Sequence, residues 1–359
     1  MKKSIKVGIL TFHYSNNNFG ALLQTFAILN AVKALQFDAK IIDFKPSTSN
    51  SAKQRIFNFI RVILGYNFTR FRKKYIATEA VGKDLNKLND KLDTFIVGSD
   101  QVWRYRDNHE DLRRYFFDFV NKENKKVAYA ASFGLDKWHG DGNITKDIGL
   151  LVKRFDYISV REASGVKICK DTFGVDSTLV LDSTLLLDKS SYENIIRSKY
   201  QDKSENNNLL SYMLLDDTNK NQAFFKSFAK KHGLRFTKLK GIKILNKYDF
   251  WLFNSVAKWL YLIKNSEFVV TDSFHCTVFS IIFNKKFIVL SNPNRGLTRI
   301  ENLLALINRK DRLFYKLEDI DAKVLRNDFD YIGINKIIET ERKRSLSFLK
   351  ESLQGSKQF

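Results

Sequence analysis

Apolar residues in this chain gather into short strand-like runs, and stretches of helical period separate many of them. Residues 5–12 (IKVGILTF) form the first run. Residues 20–35 (GALLQTFAILNAVKAL) follow with Leu22, Phe26, Leu29, Val32 and Leu35 spaced for one helical face, and KIIDF at 40–44 resumes the strand pattern. A strand, loop, helix, strand opening predicts a parallel α/β sheet. The alternation continues through TFIVGS (94–99), KVAYAAS (126–132), YISVRE (157–162) and TLVLD (178–182).

A polar stretch, SKYQDKSENNN (198–208), interrupts the pattern, and LLSYMLL (209–215) restarts it. Helical stretches at 219–232 and 255–265 then alternate with RFTKL, EFVVT (267–271) and FIVLS (287–291), with another helix from 275. These elements predict two Rossmann-like α/β domains with a cleft between them. Their bounds are 1–197 and 209–334, joined by a linker at 198–208 and followed by a charged helix at 335–359.

Parallel sheets of this kind bind ligands beyond the carboxyl ends of their strands, where loops and helix N-termini converge. Three such places carry candidate chemistry. In EFVVTDSFHCTVFSIIF (267–283) an apolar strand delivers a short polar loop into an apolar helix. Asp272 and Ser273 are placed to cap that helix, and His275 falls in its first turn. Free N–H groups and the positive end of the dipole favour an anion there, which suits a proton-transfer role for His275; completing the cap is its plain structural alternative.

VGSDQVWR (97–104) sets Ser99, Asp100 and Gln101 at a strand end, and SVREAS (159–164) does the same for Arg161. The Arg161 guanidinium could clamp a phosphate or carboxylate bidentately, or serve as a structural ion pair. The first loop, HYSNNNFG (13–20), lacks the G-x-G-x-x-G and Walker patterns. Its Asn17, Asn18 and Gly20 could hydrogen-bond an uncharged hydroxylated ligand, or simply form a solvated turn.

Composition narrows the choice of partner without making it. The 359 residues hold 61 Lys and Arg against 39 Asp and Glu, a net charge of +22, which favours anionic partners. Basic residues are spread along the chain rather than set beside aromatic platforms, which argues against a nucleic-acid-binding protein. One local exception is KQRIFNFIRVILGYNFTRFRKKY (53–75), seven cations interleaved with apolar and aromatic residues, the pattern of a helix resting on anionic lipid or of a half-buried helix with a basic outer face. The chain reads as cytoplasmic, any membrane contact being peripheral at the inner face. The opening MKKSIKVGILTF is basic, but its apolar run is short and alternating and no small-residue cleavage site follows, so it reads as a strand.

Two cysteines, Cys169 and Cys276, are too few for a disulfide framework. The five histidines (13, 109, 139, 232, 275) have no zinc spacing, and the Asp216–Asp217 pair falls in an expected loop, so no metal site is predicted.

Taken together, NNNFGALLQTFAIL (16–29), FIVGSDQVWR (95–104), YAASFG (129–134), ISVREASG (158–165), LVLDSTLLL (179–187) and WLYLIKNSEFVVTDSFHCTVFSIIFNKKFIVL (259–290) resemble the polysaccharide pyruvyl transferase family. The resemblance implies a fold like that of GT-B glycosyltransferases. It also implies transfer of pyruvate from phosphoenolpyruvate, as a ketal, to a hexose of a surface-polysaccharide precursor, often lipid-linked, with phosphoenolpyruvate as donor substrate and no other cofactor. It places Arg161 and His275 in the donor site and adds Arg295 and Arg299 from NRGLTRIENLL as basic binding residues; since Arg161 and His275 each lie just beyond an apolar strand, one in each predicted domain, they are expected to act from opposite walls of the cleft. Two departures from the family pattern are Cys276, where Gly usually follows the His, and Ser183, where Pro often follows the Asp. A nucleotide-sugar glycosyltransferase of GT-B type is the alternative function.

Overall fold

The structure, a computed structural model, describes residues 5–45, 59–60, 62–81, 84–105, 109–201, 207–214, 218–239, 241–245, 250–291, 297–321, 323–326 and 329–356. The chain forms two compact units. Unit 1 comprises Met1–Ser51, Arg72–Leu187 and Glu339–Phe359, and unit 2 comprises Ala52–Phe71 and Asp188–Ile338.

Unit 1 is built on a parallel seven-stranded sheet of β1 (Lys6–Leu10), β2 (Asp38–Ile42), β3 (Thr78–Glu79), β4 (Thr94–Val97), β5 (Lys125–Ala131), β6 (Tyr157–Val160) and β7 (Thr178–Leu179). Their spatial order is β3-β2-β1-β4-β5-β6-β7. The chain therefore reverses its direction of travel across the sheet at β1, and the carboxyl ends of β1 and β4 form the switch point at which open α/β sheets bind ligands. Short strands buried on both faces explain the continuous apolar runs of the sequence. Trp103, fully buried, stacks on Phe116 at 4.9 Å and meets Phe133 at 5.3 Å in the core.

Unit 2 has a parallel five-stranded sheet of β8 (Asn208–Tyr212), β9 (Arg235–Lys238), β12 (Phe268–Thr271), β13 (Lys286–Leu290) and β14 (Leu313–Phe314), in the order β14-β13-β12-β8-β9. An antiparallel ribbon, β10 (Ile242–Leu245) with β11 (Phe250–Leu252), stands apart from that sheet.

In chain order the helices are α1 (Phe19–Ala34), α2 (Tyr66–Tyr75), α3 (His109–Arg114), α4 (Gly142–Val152), α5 (Ala163–Phe173), α6 (Lys189–Arg197), α7 (Asn219–Lys231), α8 (Val256–Lys264), α9 (Phe274–Ile282), α10 (Thr298–Leu306), α11 (Lys323–Arg326) and α12 (Tyr331–Gln354). Helix α1 departs from its sequence reading. The spacing predicts one apolar face, yet Gln24 and Thr25 are buried with the apolar residues. Both side chains find partners: Thr25 donates to the Ala21 carbonyl at 2.7 Å, and Gln24 donates to Thr11 Oγ1 at 2.8 Å.

The units divide the chain differently from the sequence bounds. Helix α6 lies in unit 2, because Tyr192 is buried edge-on against Phe279 at 4.8 Å and Lys264 bridges Glu193 at 3.2 Å. The crossing nearest the predicted linker falls at Leu187–Asp188, and the segment 198–208, of which 202–206 lie outside the described residues, is internal to unit 2. Helix α12 is divided, with Tyr331–Ile338 in unit 2 and the remainder in unit 1. In its unit-1 part Ser345, Leu349 and Leu353 are buried, and Lys125 Nζ donates to the carbonyls of Leu353 (2.9 Å) and Gly355 (2.5 Å), closing the helix C-terminus with a cation.

Candidate functional site

In unit 1 the polar residues at the strand ends join into one network. β4 leads into Gly98, whose φ is +111° and where a Cβ would stand 2.1 Å from the Tyr129 carbonyl oxygen, so only glycine lets β5 approach so closely. Ser99 and Asp100 follow. The Ser99 carbonyl accepts from Thr11 Oγ1 at 2.8 Å, and its hydroxyl donates to Asp182 Oδ2 at 2.9 Å. Asp182 also accepts from the Thr184 N–H (3.0 Å) and hydroxyl (2.6 Å) and from Arg161 Nη1 (2.7 Å).

Arg161, just past β6, has three carboxylates around it. Besides Asp182 they are Asp100 at 3.4 Å and Glu162 at 3.7 Å, and Glu162 in turn accepts from the Phe133 N–H at 3.0 Å. Burial works against the guanidinium charge, but Asp182, Asp100 and Glu162 outweigh it and hold its pKa above the ordinary arginine value. Of the two roles open to Arg161, the ion-pair role is the one this geometry displays, and its donors face protein carboxylates.

The loop after β1 is tied down by its own residues. Asn18 caps α1 by accepting from the Ala21 N–H at 3.2 Å, Gly20 is buried in the first turn, and Asn17 is exposed, accepting from Ser15 Oγ at 2.9 Å. Arg72 donates to the Ser15 carbonyl and to Asn16 Oδ1, both at 2.7 Å. At the end of β1 the buried His13 sets Nε2 against Asp43 Oδ1 at 2.8 Å. Burial, against the opposing Asp43 hydrogen bond, pushes the His13 pKa down. Gln101 lies at the edge of the network, accepting from Arg104 at 3.1 Å while its N–H donates to Asp100 at 2.8 Å. Thus the structure brings together Ser99, Asp100, Gln101 and Arg161, and leaves Asn17 and Asn18 on the neighbouring loop and Gly20 in the first turn of α1.

In unit 2 the strand-to-helix turn after β12 has the predicted form, except that of the two predicted caps only Ser273 caps the helix. Ser273 is the cap of α9, accepting from the Cys276 N–H at 3.4 Å. Asp272 turns away and accepts from the Leu214 N–H at 2.6 Å, tying the ends of β12 and β8 together. His275, 8% exposed, occupies the first turn of α9, with its ring 5.2 Å from Phe274. The Arg299 guanidinium, also buried, lies over the same Phe274 ring at 5.6 Å, so a cation and the His275 imidazole flank one aromatic side chain. Arg295, Asp216 and Asp217 lie outside the described residues.

The departures from the family pattern are accommodated. Cys276 is fully buried, and burial pushes its thiol up to about 12, so it is an unreactive filler. Ser183 uses the N–H that a proline would lack, donating to Ser99 Oγ at 3.4 Å, and its hydroxyl donates to the Gln24 carbonyl at 3.0 Å.

Several members of these networks were not singled out in the sequence reading. Gln24, an uncharged polar residue inside an apolar helix, carried a usable signal. Asp182 and Glu162 stood beside singled-out motif residues, whereas the His13–Asp43 and Arg72–Asn16 pairings span 30 and 56 positions and leave no local trace.

Two Rossmann-like units with polar side chains at the carboxyl ends of their parallel sheets define an α/β protein of the GT-B-like class. Solved structures share this fold: UDP-GlcNAc 2-epimerase from Neisseria meningitidis bound to UDP-GlcNAc has a TM-score of 0.52 at 10% identity, over 98% of this chain and 100% of that one. The spinosyn forosaminyltransferase SpnP has a TM-score of 0.51 at 8% identity, over 95% of each chain. Within that class, a model of the polysaccharide pyruvyl transferase family matches residues 18–294, and the chain belongs to that family. No curated protein sequence matches it significantly.

Proposed function

We propose that this protein transfers pyruvate from phosphoenolpyruvate to two hydroxyls of one sugar in a surface-polysaccharide precursor, forming a ketal. Protonation of the methylene carbon makes C2 electrophilic, and a first sugar hydroxyl adds there. The C2–O bond to phosphate breaks, and a second hydroxyl closes the ring. Of the two hydroxyl protons lost, one ends on the new methyl group and the other on inorganic phosphate. The chemistry calls for anion clamps and a proton carrier, so turnover is expected to survive chelation of divalent metals.

The observation that carries this reading is the α9 turn in a chain of this family. His275 sits where backbone N–H groups attract an anion, and Arg299 lies one aromatic ring away. In this scheme His275 moves the proton and Arg299 offsets donor charge. Arg161 is a positioning residue that holds Asp100 just past the end of β4. Steady-state kinetics test the assignment. His275→Gln should lower kcat by roughly 10²–10⁴-fold with a small change in donor KM. Near-normal turnover in that variant would remove His275 from the mechanism. A nucleotide-sugar glycosyltransferase remains the second reading and rests on the fold alone.

A further inference from the structure

Ten large apolar side chains are exposed among the described residues, and four of them, Phe59 (66%), Val62 (52%), Ile63 (56%) and Tyr66 (62%), fall within one short stretch. Residues 59, 60 and 62–64 are helical, so Phe59, Val62 and Ile63 have the i, i+3, i+4 spacing of one face, and Tyr66 opens α2. The core does not need these side chains. Helix α2 buries Phe68 and Phe71 instead, with Phe68 edge-on to Phe253 at 5.9 Å and Asn67 donating to the Phe253 carbonyl at 3.1 Å. The stretch therefore carries a second apolar set, turned to solvent.

Its charge is one-sided. Between Asp43 and Glu79 the sequence has eight Lys or Arg (Lys45, Lys53, Arg55, Arg61, Arg70, Arg72, Lys73 and Lys74) and no acidic residue. Along α2, Arg70, Lys73 and Lys74 are exposed. A second copy of this chain would bring like charge against like. Nucleic acid would meet its charge and could stack on Phe59 or Tyr66, but it would leave the aliphatic Val62 and Ile63 in water. A bilayer of anionic phospholipid offers both a negative surface for the cations and an apolar interior for the four side chains.

We propose that Phe59, Val62, Ile63 and Tyr66, with Arg70, Lys73 and Lys74 of α2, form a docking surface by which this protein rests on anionic phospholipid membrane. Among the described residues no helix is long and apolar enough to cross a membrane, so the association is interfacial and reversible. It is independent of the pyruvyl-transfer reading, because binding can be measured without turnover.

Sedimentation of the full chain with vesicles of phosphatidylcholine, with and without phosphatidylglycerol, tests it. Protein should pellet with the phosphatidylglycerol vesicles only, and less as salt rises. The double substitution Val62→Glu, Ile63→Glu should abolish pelleting, and Arg70→Ala should weaken it about fivefold, the effect of one cation near an anionic surface. These positions are exposed, so circular dichroism melts should match the unaltered protein. Tyr66→Ser gives a milder variant with the same expected direction. Failure to pellet with phosphatidylglycerol vesicles would overturn the proposal. So would pelleting that ignores the Val62 and Ile63 changes, or equal capture by immobilised polyglutamate, since either would reduce the surface to a generic polycation.

Discussion

Arg161, Asp100, Glu162 and Asp182 put three buried carboxylates around one buried guanidinium, and the excess negative charge is held by hydrogen bonds from Thr184, Ser99 and the Phe133 N–H. Asp182 is the costly member to remove, because buried donors on Arg161, Ser99 and Thr184 would all lose their shared acceptor. Asp182→Ala is accordingly expected to destabilise unit 1 by about 3–5 kcal/mol in urea unfolding. A residue held only for ligand contact would leave unfolding almost unchanged. Cys169 and Cys276 give a second expectation at this scale: both are buried, and burial pushes each thiol up to about 12. A thiol reagent at pH 8 should leave both unmodified in the native protein and label both after denaturation. His13 sets a pH dependence. Its folded pKa lies below 6.5 because of burial, so the unfolded chain takes up the proton first and stability falls as pH drops from 6.5 toward the folded value. Asp43 is shifted the same way: burial opposes the shift, but the His13 hydrogen bond and Lys45 prevail. Its window lies below 3.8 and does not overlap the onset. Urea midpoints measured between pH 7 and 5 should slope downward, and His13→Gln should flatten that slope.

At the scale of elements, the last helix shows how packing overrides appearance. Helix α12 reads as a charged helix in sequence, and in the structure Leu349 and Leu353 are fully buried, Ser345 Oγ accepts from the Leu181 N–H at 3.0 Å, and Arg342 donates to the Leu185 carbonyl at 2.7 Å. Those contacts brace the segment that carries Asp182, so the helix supports the unit-1 network from outside it. Leu349→Ala should cost about 2–5 kcal/mol, measurable as a lowered urea midpoint. The same comparison shows what could be read in advance. Strands buried on both faces announce themselves as apolar runs, and β1, β4, β5, β6, β8, β12 and β13 were legible for that reason. The β10–β11 ribbon was not, since an isolated pair leaves only a few alternating positions. Helix α6 falls inside the predicted bounds 1–197 yet belongs to unit 2, because sequence pattern does not reveal which sheet receives an apolar face. In the site, His275 and Ser273 were legible from one local turn. The partners of Arg161 were not, because Asp100 and Asp182 lie 61 and 21 positions away and only the sheet order brings them together.

At the scale of the whole molecule, two parallel sheets each end in a polar set, one anchored on Arg161 and Asp182, the other on Ser273, His275 and Arg299. The GT-B-like fold is shared with an epimerase and a glycosyltransferase, so the fold does not choose the donor; the proposed donor rests on the family membership and the α9 turn. The donor is therefore the point on which the account stands. Phosphorus NMR can follow the protein with phosphoenolpyruvate, or with a sugar nucleotide, over a panel of lipid-linked and nucleotide-linked sugar acceptors. The account predicts inorganic phosphate released from phosphoenolpyruvate only when an acceptor is present, a pyruvate ketal methyl signal appearing in step with it in the proton spectrum, and both lost in His275→Gln. Release of a nucleoside diphosphate from the sugar nucleotide, with phosphoenolpyruvate left intact across the panel, would contradict it.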